Sequence, residues 1–103
     1  MKSNPVQTLW DRRDRLGILA EILEVAKGKQ GKTKIMYNVN LSFSQVNEYL
    51  SFLTEMGFIN IHKANGKKTY ETTSKGYSYI DNYVQMSHLL EPMEEIEAPM
   101  IAT

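Results

Sequence analysis

The chain has 103 residues, of which 42% are hydrophobic, with 12 basic and 12 acidic side chains and no cysteine. This length suits one small domain with a single core, and the lack of cysteine excludes disulfides and thiolate metal sites. The sequence contains neither an apolar run long enough to span a membrane nor a signal-peptide pattern, so we expect a cytoplasmic protein without a membrane partner.

The charges are unevenly distributed, although the formal net charge is +0. The part of the chain up to Lys75 holds all 12 basic residues and seven acids, a surplus of five positive charges, whereas the remainder holds five acids and no base. A cationic body followed by an anionic tail favours a polyanionic partner for the body. Chance asymmetry in a short chain is the alternative explanation.

Residues 1–10 contain Pro5 and small polar residues without a hydrophobic period, and we interpret them as a flexible N-terminal arm. Trp10 is the exception, because it can anchor the arm on the core or on a partner subunit. A first helix is predicted over about 11–27. Its apolar stripe comprises Leu16, Ile18 or Leu19, Ile22, Leu23 and Ala26.

Arginines cluster in the first turns of this helix, at Arg12, Arg13 and Arg15. Cations at a helix N-terminus oppose the helix dipole and therefore require another explanation. Two explanations are open: the arginines contact phosphate groups, or they pair with Asp11 and Asp14.

A flexible basic loop is predicted at 28–32, followed by a short helix over about 34–39 with Thr33 as its N-cap. A three-residue link leads into a longer amphipathic helix between Leu41 and Ile59. A short helix, a tight link and a longer capped helix form the helix-turn-helix arrangement, in which the second helix enters the major groove of DNA.

The longer helix carries signals at both ends. Ser42 is the N-cap candidate, and Gln45 can reach back to close a capping box. Leu41 and Val46 occupy the positions of a hydrophobic staple, and Gly57 is expected to end the helix in the left-handed conformation. The buried stripe is predicted to comprise Val46, Tyr49, Leu50, Leu53 and Met56.

The opposite face of this helix is polar and almost uncharged. It carries Phe43, Ser44, Gln45, Asn47, Glu48 and Ser51. Short amides and hydroxyls form hydrogen bonds with base edges in a major groove, whereas an ordinary solvated face would be richer in Lys and Glu. We therefore assign base contacts to Ser44, Gln45, Asn47 and Ser51, with a plain surface face as the alternative.

Two β-rich runs follow, at 58–63 and 68–72, separated by Asn65-Gly66, a strong hairpin signal because both residues tolerate positive φ. Such a hairpin after a recognition helix is a wing. Its tip carries Lys63, Lys67 and Lys68, which can contact the phosphate backbone. Lysines placed there for solubility are the alternative.

The last helix is predicted over about 74–91, with Thr73 as its N-cap and Pro92 ending it. The apolar stripe of this helix is longer than the rest of the domain can cover, which suggests that the helix pairs with the same helix of a second copy. The alternative is that the helix folds back across the core of its own chain. The residues assigned to dimerisation are Ile80, Tyr83, Val84, Ser87 and Leu90. Residues 92–103 are interpreted as an acidic disordered tail.

Chemistry for catalysis is lacking. No nucleophile, base and orienting group can be assembled, so we expect no enzyme and no cofactor. His88 and Glu91 supply only two ligands, so no metal site is expected. The run from Gly28 to Thr33 lacks the spacing and the preceding strand of a phosphate-binding loop.

Three segments carry a resemblance to a known family: KTKIMY at 32–37, the capped LSFSQ at 41–45 and YETTSKG at 70–76. With them, the stretch 11–90 resembles the archaeal winged helix-turn-helix transcriptional regulators. The implied fold is α+β, mostly α: a three-helix core with a β-hairpin wing over 11–73, and a long C-terminal dimerisation helix over 74–91.

The resemblance implies DNA binding by a homodimer whose last helices form an antiparallel coiled coil. Phosphate contacts are assigned to Arg12, Arg13, Lys32, Lys34, Tyr37, Lys63, Lys67 and Lys68. For Tyr37, a place in the core is the alternative. The expected function is that of a transcriptional regulator associated with the nucleoid. A winged-helix module that binds only protein and an abundant architectural chromatin protein are the alternatives, and the neutral net charge favours a regulator of few sites over the latter.

Overall fold

A computed structural model of the protein describes residues 14–90. Its elements are α1 (Arg15–Ala26), α2 (Lys32–Val39), α3 (Phe43–Glu55), β1 (Ile59–Ala64), β2 (Lys67–Thr72) and α4 (Ser74–Leu89). This order confirms the mostly helical winged helix-turn-helix with a C-terminal helix. The predicted arm at 1–10 with Trp10, Arg12 and Arg13, Glu91, and the tail at 92–103 lie outside the described residues.

The core lies where α1 meets the other three helices and the hairpin. The side chains of Ile22, Leu23 and Ala26 on α1 are fully enclosed, as are Ile35 of α2 and Leu53 of α3. Every helix contributes buried apolar side chains to this single cluster, so the domain has one core.

The starts of the first two helices differ from the prediction. Asp14 is the N-cap of α1 and accepts a hydrogen bond of 2.9 Å from the Gly17 N–H, so the helix begins at Arg15 rather than near residue 11. Gly31, in an extended conformation, is the N-cap of α2, so Thr33 lies inside the helix and the predicted cap was wrong.

The capping box of α3 is confirmed. The Ser42 hydroxyl accepts from the Gln45 N–H, and Gln45 Oε1 accepts from the Ser42 N–H. Gly57 has φ +81°, as its expected left-handed conformation requires. Met56 was predicted to be buried but is exposed. It lies beside Tyr49 at the edge of the buried stripe, and Val46, Leu50 and Leu53 form the centre of that stripe.

The hairpin also agrees closely with the prediction from the sequence. Its strands pair from Ile59 with Thr72 to Ala64 with Lys67, and Asn65 and Gly66 both have positive φ, as a type I′ turn requires. Gln30 exchanges two backbone hydrogen bonds with Tyr70 of β2. The segment predicted as a flexible loop is therefore attached to the wing, which fixes the wing relative to the start of α2.

The link between wing and α4 explains the YETTSKG segment. Thr72 donates a hydrogen bond of 2.6 Å to the Leu23 carbonyl, and Thr73 donates to the Gly57 carbonyl while capping α4. A Cβ on Gly76 would lie 2.5 Å from both the Phe58 carbonyl oxygen and a methyl of Thr72. Only glycine therefore allows α4 to approach the hairpin this closely.

The N-terminal half of α4 packs on the chain's own core. Ile80 is only 7% exposed, and the Tyr79 hydroxyl donates a hydrogen bond to the Leu16 carbonyl. Burial, assisted by Tyr83 and Asp14, raises the pKa of Tyr79 to about 12. Ile80 thus has almost no surface left for a partner, so its assignment to dimerisation is corrected to a core role.

The C-terminal half of α4 is different. Leu89 is 84% exposed, and Val84 and Leu90 are also exposed. Ser87 is buried and Tyr83 is half-buried. Within residues 14–90, no helix has the length and apolarity that crossing a bilayer requires.

Candidate nucleic-acid interface

Helix α3 presents a polar face away from the core. Ser44 and Ser51 are exposed near the centre of this face, about two helical turns apart, because Val46, Leu50 and Leu53 are buried on the opposite side. The predicted assignment of these positions to the outer surface is therefore confirmed, whereas their contact with bases remains a prediction.

A cleft of about 510 Å³ separates α3 from the wing, and we call it the helix–wing cleft. It is lined by Lys32, Asn47, Leu50, Ser51, Thr54, Glu55, Ile61, Lys68 and Tyr70. Four of these were predicted site residues, drawn from α2, α3 and β2: Lys32, Asn47, Ser51 and Lys68. The fold therefore brings together two cations and two short polar side chains that lie up to 36 positions apart in the sequence.

Lys32 is held at the edge of the helix–wing cleft. Its ammonium donates a hydrogen bond to Asn47 Oδ1 and lies 5.2 Å from the centroid of the Phe43 ring. A cation fixed by a hydrogen bond and a ring face has less side-chain entropy to lose when it contacts an anion. Sequence patterns did not indicate this contact, because the two partners belong to different helices.

Gln45 lies on the other flank of α3. It lines an apolar groove of about 430 Å³ between α1 and α3, which we call the α1–α3 groove. The groove is lined by Arg15, Leu16, Leu19, Gln45, Glu48, Tyr49 and Phe52. The four predicted base-contacting residues therefore do not lie in one row along α3, because Gln45 and Asn47 lie on opposite sides of its outer face.

The start of α2 offers donors to an anion. Backbone N–H groups in the first turn of a helix have no intrahelical partner, and Gly31 has no side chain to cap those of α2. These donors lie next to the side chains of Lys32 and Lys34. Tyr37, one turn further along, is 74% exposed. This exposure excludes the alternative that Tyr37 belongs to the core.

The wing concentrates positive charge. Lys63 and Lys68 lie directly opposite each other in the strand register, and Lys67 follows the turn. Like charges placed directly across a hairpin destabilise it, so solubility alone is a poor explanation for this pair. His62 and Glu71 are in hydrogen-bond contact nearby on the wing, with 2.9 Å between Nε2 and Oε1.

Two acidic residues of the outer face were not assigned from the sequence. Glu48 and Glu55 are exposed and lie about one and three turns along α3 from Ser44. Carboxylates only accept hydrogen bonds, and cytosine N4 is the donor that they pair with in a major groove. Glu48 was already placed on this face from the sequence, and helical spacing from Ser44 was the signal that could have identified Glu55.

Another basic residue has a structural role. Lys75 donates a hydrogen bond of 2.7 Å to the Met56 carbonyl, at the C-terminal end of α3, where a cation is favourable for the helix dipole. In the part of the chain that the structure describes, no three His, Cys, Asp or Glu side chains are grouped as metal ligands would be.

A capped helix lying between a basic hairpin and a short preceding helix defines a winged helix-turn-helix protein. A family model described as winged helix-turn-helix matches residues 12–91. This match covers most of the chain, and the chain therefore belongs to the winged helix-turn-helix family.

Three known proteins show the range of similarity. An uncharacterised protein of Methanocaldococcus jannaschii, MJ0290, is 34% identical over 82 residues, which are 79% of this chain but 37% of that protein. This chain therefore spans little more than a third of the length of that relative. Sso10a-2, a DNA-binding protein from Sulfolobus solfataricus, has a TM-score of 0.69 and 26% identity, covering 88% of this chain and 99% of its own.

The third protein is MepR of Staphylococcus aureus in a crystal structure of its complex with DNA. It has a TM-score of 0.61 and 13% identity, covering 94% of this chain and 82% of its own. At this identity the likeness shows the shared fold alone.

Proposed function

We propose that two copies of this chain bind double-stranded DNA and regulate transcription, with α3 in the major groove. The helix–wing cleft carries this proposal, because it joins Lys32, Asn47, Ser51 and Lys68 along the edge of an exposed recognition helix. Side chains of this kind divide naturally into phosphate contacts, made by the cations, and base contacts, made by the short polar groups.

Phosphate contacts come from two sides of α3. The start of α2 contributes Lys32, Lys34, Tyr37 and free backbone donors, and the wing contributes Lys63, Lys67 and Lys68. The destabilising pair of Lys63 and Lys68 supports a polyanionic ligand, since phosphate oxygens would relieve the repulsion. The description of Sso10a-2 as a DNA-binding protein supports the same ligand.

Dimerisation is proposed through the exposed C-terminal half of α4. Val84 and Leu90 leave apolar surface exposed on either side of Ser87, and exposed apolar surface of this kind is covered most simply by the same surface of a second copy. Tyr83 and Ser87 border this surface. With DNA as the ligand, the protein would be associated with the nucleoid.

The experiment is in-vitro selection of the full chain on random duplexes, followed by sequencing of the bound pool. We expect a two-fold symmetric motif whose half-sites lie about one helical turn apart, roughly 10 base pairs. Absence of an enriched motif, together with binding that does not depend on salt, would contradict the proposal.

A module that binds protein instead of DNA is the second candidate. The α1–α3 groove favours it, because Leu16 and Phe52 leave apolar surface exposed there. This candidate predicts no salt-dependent binding to any duplex, so the same selection experiment distinguishes the two. An architectural chromatin protein would instead bind duplexes strongly without enriching a motif.

A further inference from the structure

Two amide side chains of α3 have their carbonyl oxygens engaged within the protein. Gln45 Oε1 accepts a hydrogen bond of 2.9 Å from the Ser42 N–H, and Asn47 Oδ1 accepts one from the Lys32 ammonium. A backbone N–H and an ammonium can only donate, so the amide atom facing each of them must be the oxygen. The orientation of both amides therefore follows from the chemistry of their partners.

The amide nitrogens remain available. Within residues 14–90, neither Gln45 Nε2 nor Asn47 Nδ2 has a hydrogen-bond partner. Each –NH2 group can donate two hydrogen bonds. An amide that binds adenine must direct its oxygen to N6 and its nitrogen to N7 at the same time. In these two amides a donor of the protein already uses one of the two lone pairs of the oxygen, so an adenine N6 would have to share that oxygen, whereas the –NH2 group is entirely available.

We propose that α3 uses the –NH2 groups of Gln45 and Asn47 to recognise guanine. Guanine is the base whose major-groove edge presents two adjacent acceptors, N7 and O6, whereas adenine presents the donor N6 beside its N7. This inference rests on the proposed function and deepens it by naming the base that the same site selects. It also reverses the usual preference of Asn and Gln for adenine.

Lys32 acts in this proposal as a positioning residue for Asn47. Removing the ammonium frees Asn47 Oδ1, so that the amide can turn to meet adenine. Lys34 provides the matched control, because it is an exposed lysine on the same helix without a contact to α3 within the described residues. Both substitutions remove one positive charge, and only one of them releases an amide.

The test uses the full chain and a duplex taken from the selected pool. Guanines of a half-site are replaced singly by 7-deazaguanine, which lacks N7, and adenines by purine, which lacks the N6 amino group. We expect 7-deazaguanine to weaken binding about 5-fold or more at a contacted position, and purine to leave it unchanged. A weakening on purine substitution that disappears in Asn47→Ala or Gln45→Ala would overturn the assignment.

Variants complete the test. Asn47→Asp keeps an acceptor facing Lys32 but has no –NH2 group, and it should abolish the effect of 7-deazaguanine at one position. Lys32→Met should lower the preference for guanine over adenine at that position, whereas Lys34→Met should not. Equal base preferences in the two lysine variants would contradict the role of Lys32.

The outcomes separate the two levels of the proposal. If the chain binds the duplex but tolerates every 7-deazaguanine, the guanine assignment is wrong and DNA binding stands. If the chain binds no duplex at all, the proposed function is wrong and the base assignment falls with it.

Discussion

The two flanks of α3 differ in their chemistry. The lining of the helix–wing cleft includes two cations, Lys32 and Lys68, and short polar side chains such as Asn47, beside one carboxylate and three larger apolar or aromatic side chains. The α1–α3 groove is largely apolar, with Leu16 and Phe52 exposed. A single helix thus separates a surface suited to a polyanion from a surface suited to apolar contact, and substitution of the apolar side chains of the α1–α3 groove should leave DNA binding unchanged.

The largest effect is expected from a substitution that disturbs the packing on which both flanks of α3 depend. Gly76→Ala places a Cβ against the Phe58 carbonyl and a Thr72 methyl, neither of which can move without shifting the hairpin. We expect the free energy of unfolding to fall by about 3 kcal/mol, the upper part of the range for overpacking. Urea denaturation followed by circular dichroism measures this change.

Gly28→Ala is the control for that substitution. A Cβ at Gly28 approaches only the end of the Gln30 side chain, which is free to move. Its effect should stay within about 0.5 kcal/mol, as for most surface substitutions. Equal stabilities of the two variants would show that the close approach at Gly76 does not matter.

The second prediction concerns the wing. Replacing Lys63, Lys67 and Lys68 together by alanine should weaken binding to all duplexes, because phosphate contacts carry no sequence information. The plot of log affinity against log salt concentration should become flatter by about 0.9 for each phosphate that is no longer neutralised. Lys27→Ala is the charge control, since Lys27 pairs with Glu24 away from the cleft. A slope that the triple variant leaves unchanged would exclude the wing from binding phosphates.

The third prediction compares the two flanks directly. Asn47→Ala should cost about 1–3 kcal/mol of binding free energy at particular base pairs and relax specificity there. Phe52→Ala, on the α1–α3 groove, should leave the affinity for the same duplexes unchanged. Fluorescence anisotropy with duplexes altered at single base pairs measures both. Reduced specificity in the Phe52 variant instead would assign DNA binding to the other flank.

The smallest effect is expected at the start of α3. Ser42→Ala removes the side-chain cap and should lower the free energy of unfolding by about 1 kcal/mol. Gln45→Ala removes the other half of the capping box, so it should lower both stability and DNA affinity. Thermal unfolding measures the capping role alone. Ser42→Thr keeps a capping hydroxyl and should retain the stability of the unsubstituted chain, whereas unchanged stability in either alanine variant would contradict the capping role.

Local features of the fold could be predicted because neighbouring residues determine them. The capping box of Ser42 and Gln45, the type I′ turn at Asn65-Gly66 and the Thr73 cap each depend on interactions within a few residues. The prediction was wrong where two nearby residues could both serve as the N-cap of the same helix. Thr33 resembled a cap, but Gly31, with its extended backbone, caps α2 at an earlier position.

The candidate site could be predicted only in part. Amphipathic periodicity identified the outer face of α3, and the basic tip of the wing followed from the hairpin signal. The separation of Gln45 and Asn47 onto opposite flanks depends on where α1 and the wing pack, which periodicity does not report. Glu55 was overlooked as a member of the same face, and Glu48 was placed on it without a role.

The sequence by itself determined the elements of this protein, their order and the polar face of its recognition helix, because hydrophobic periods and capping residues act over short distances. Only the tertiary structure decided how distant groups meet: Lys32 with Asn47, Gln30 with Tyr70, and Gly76 with the hairpin. These contacts join positions that are remote along the chain, so their geometry depends on the packing of the whole core.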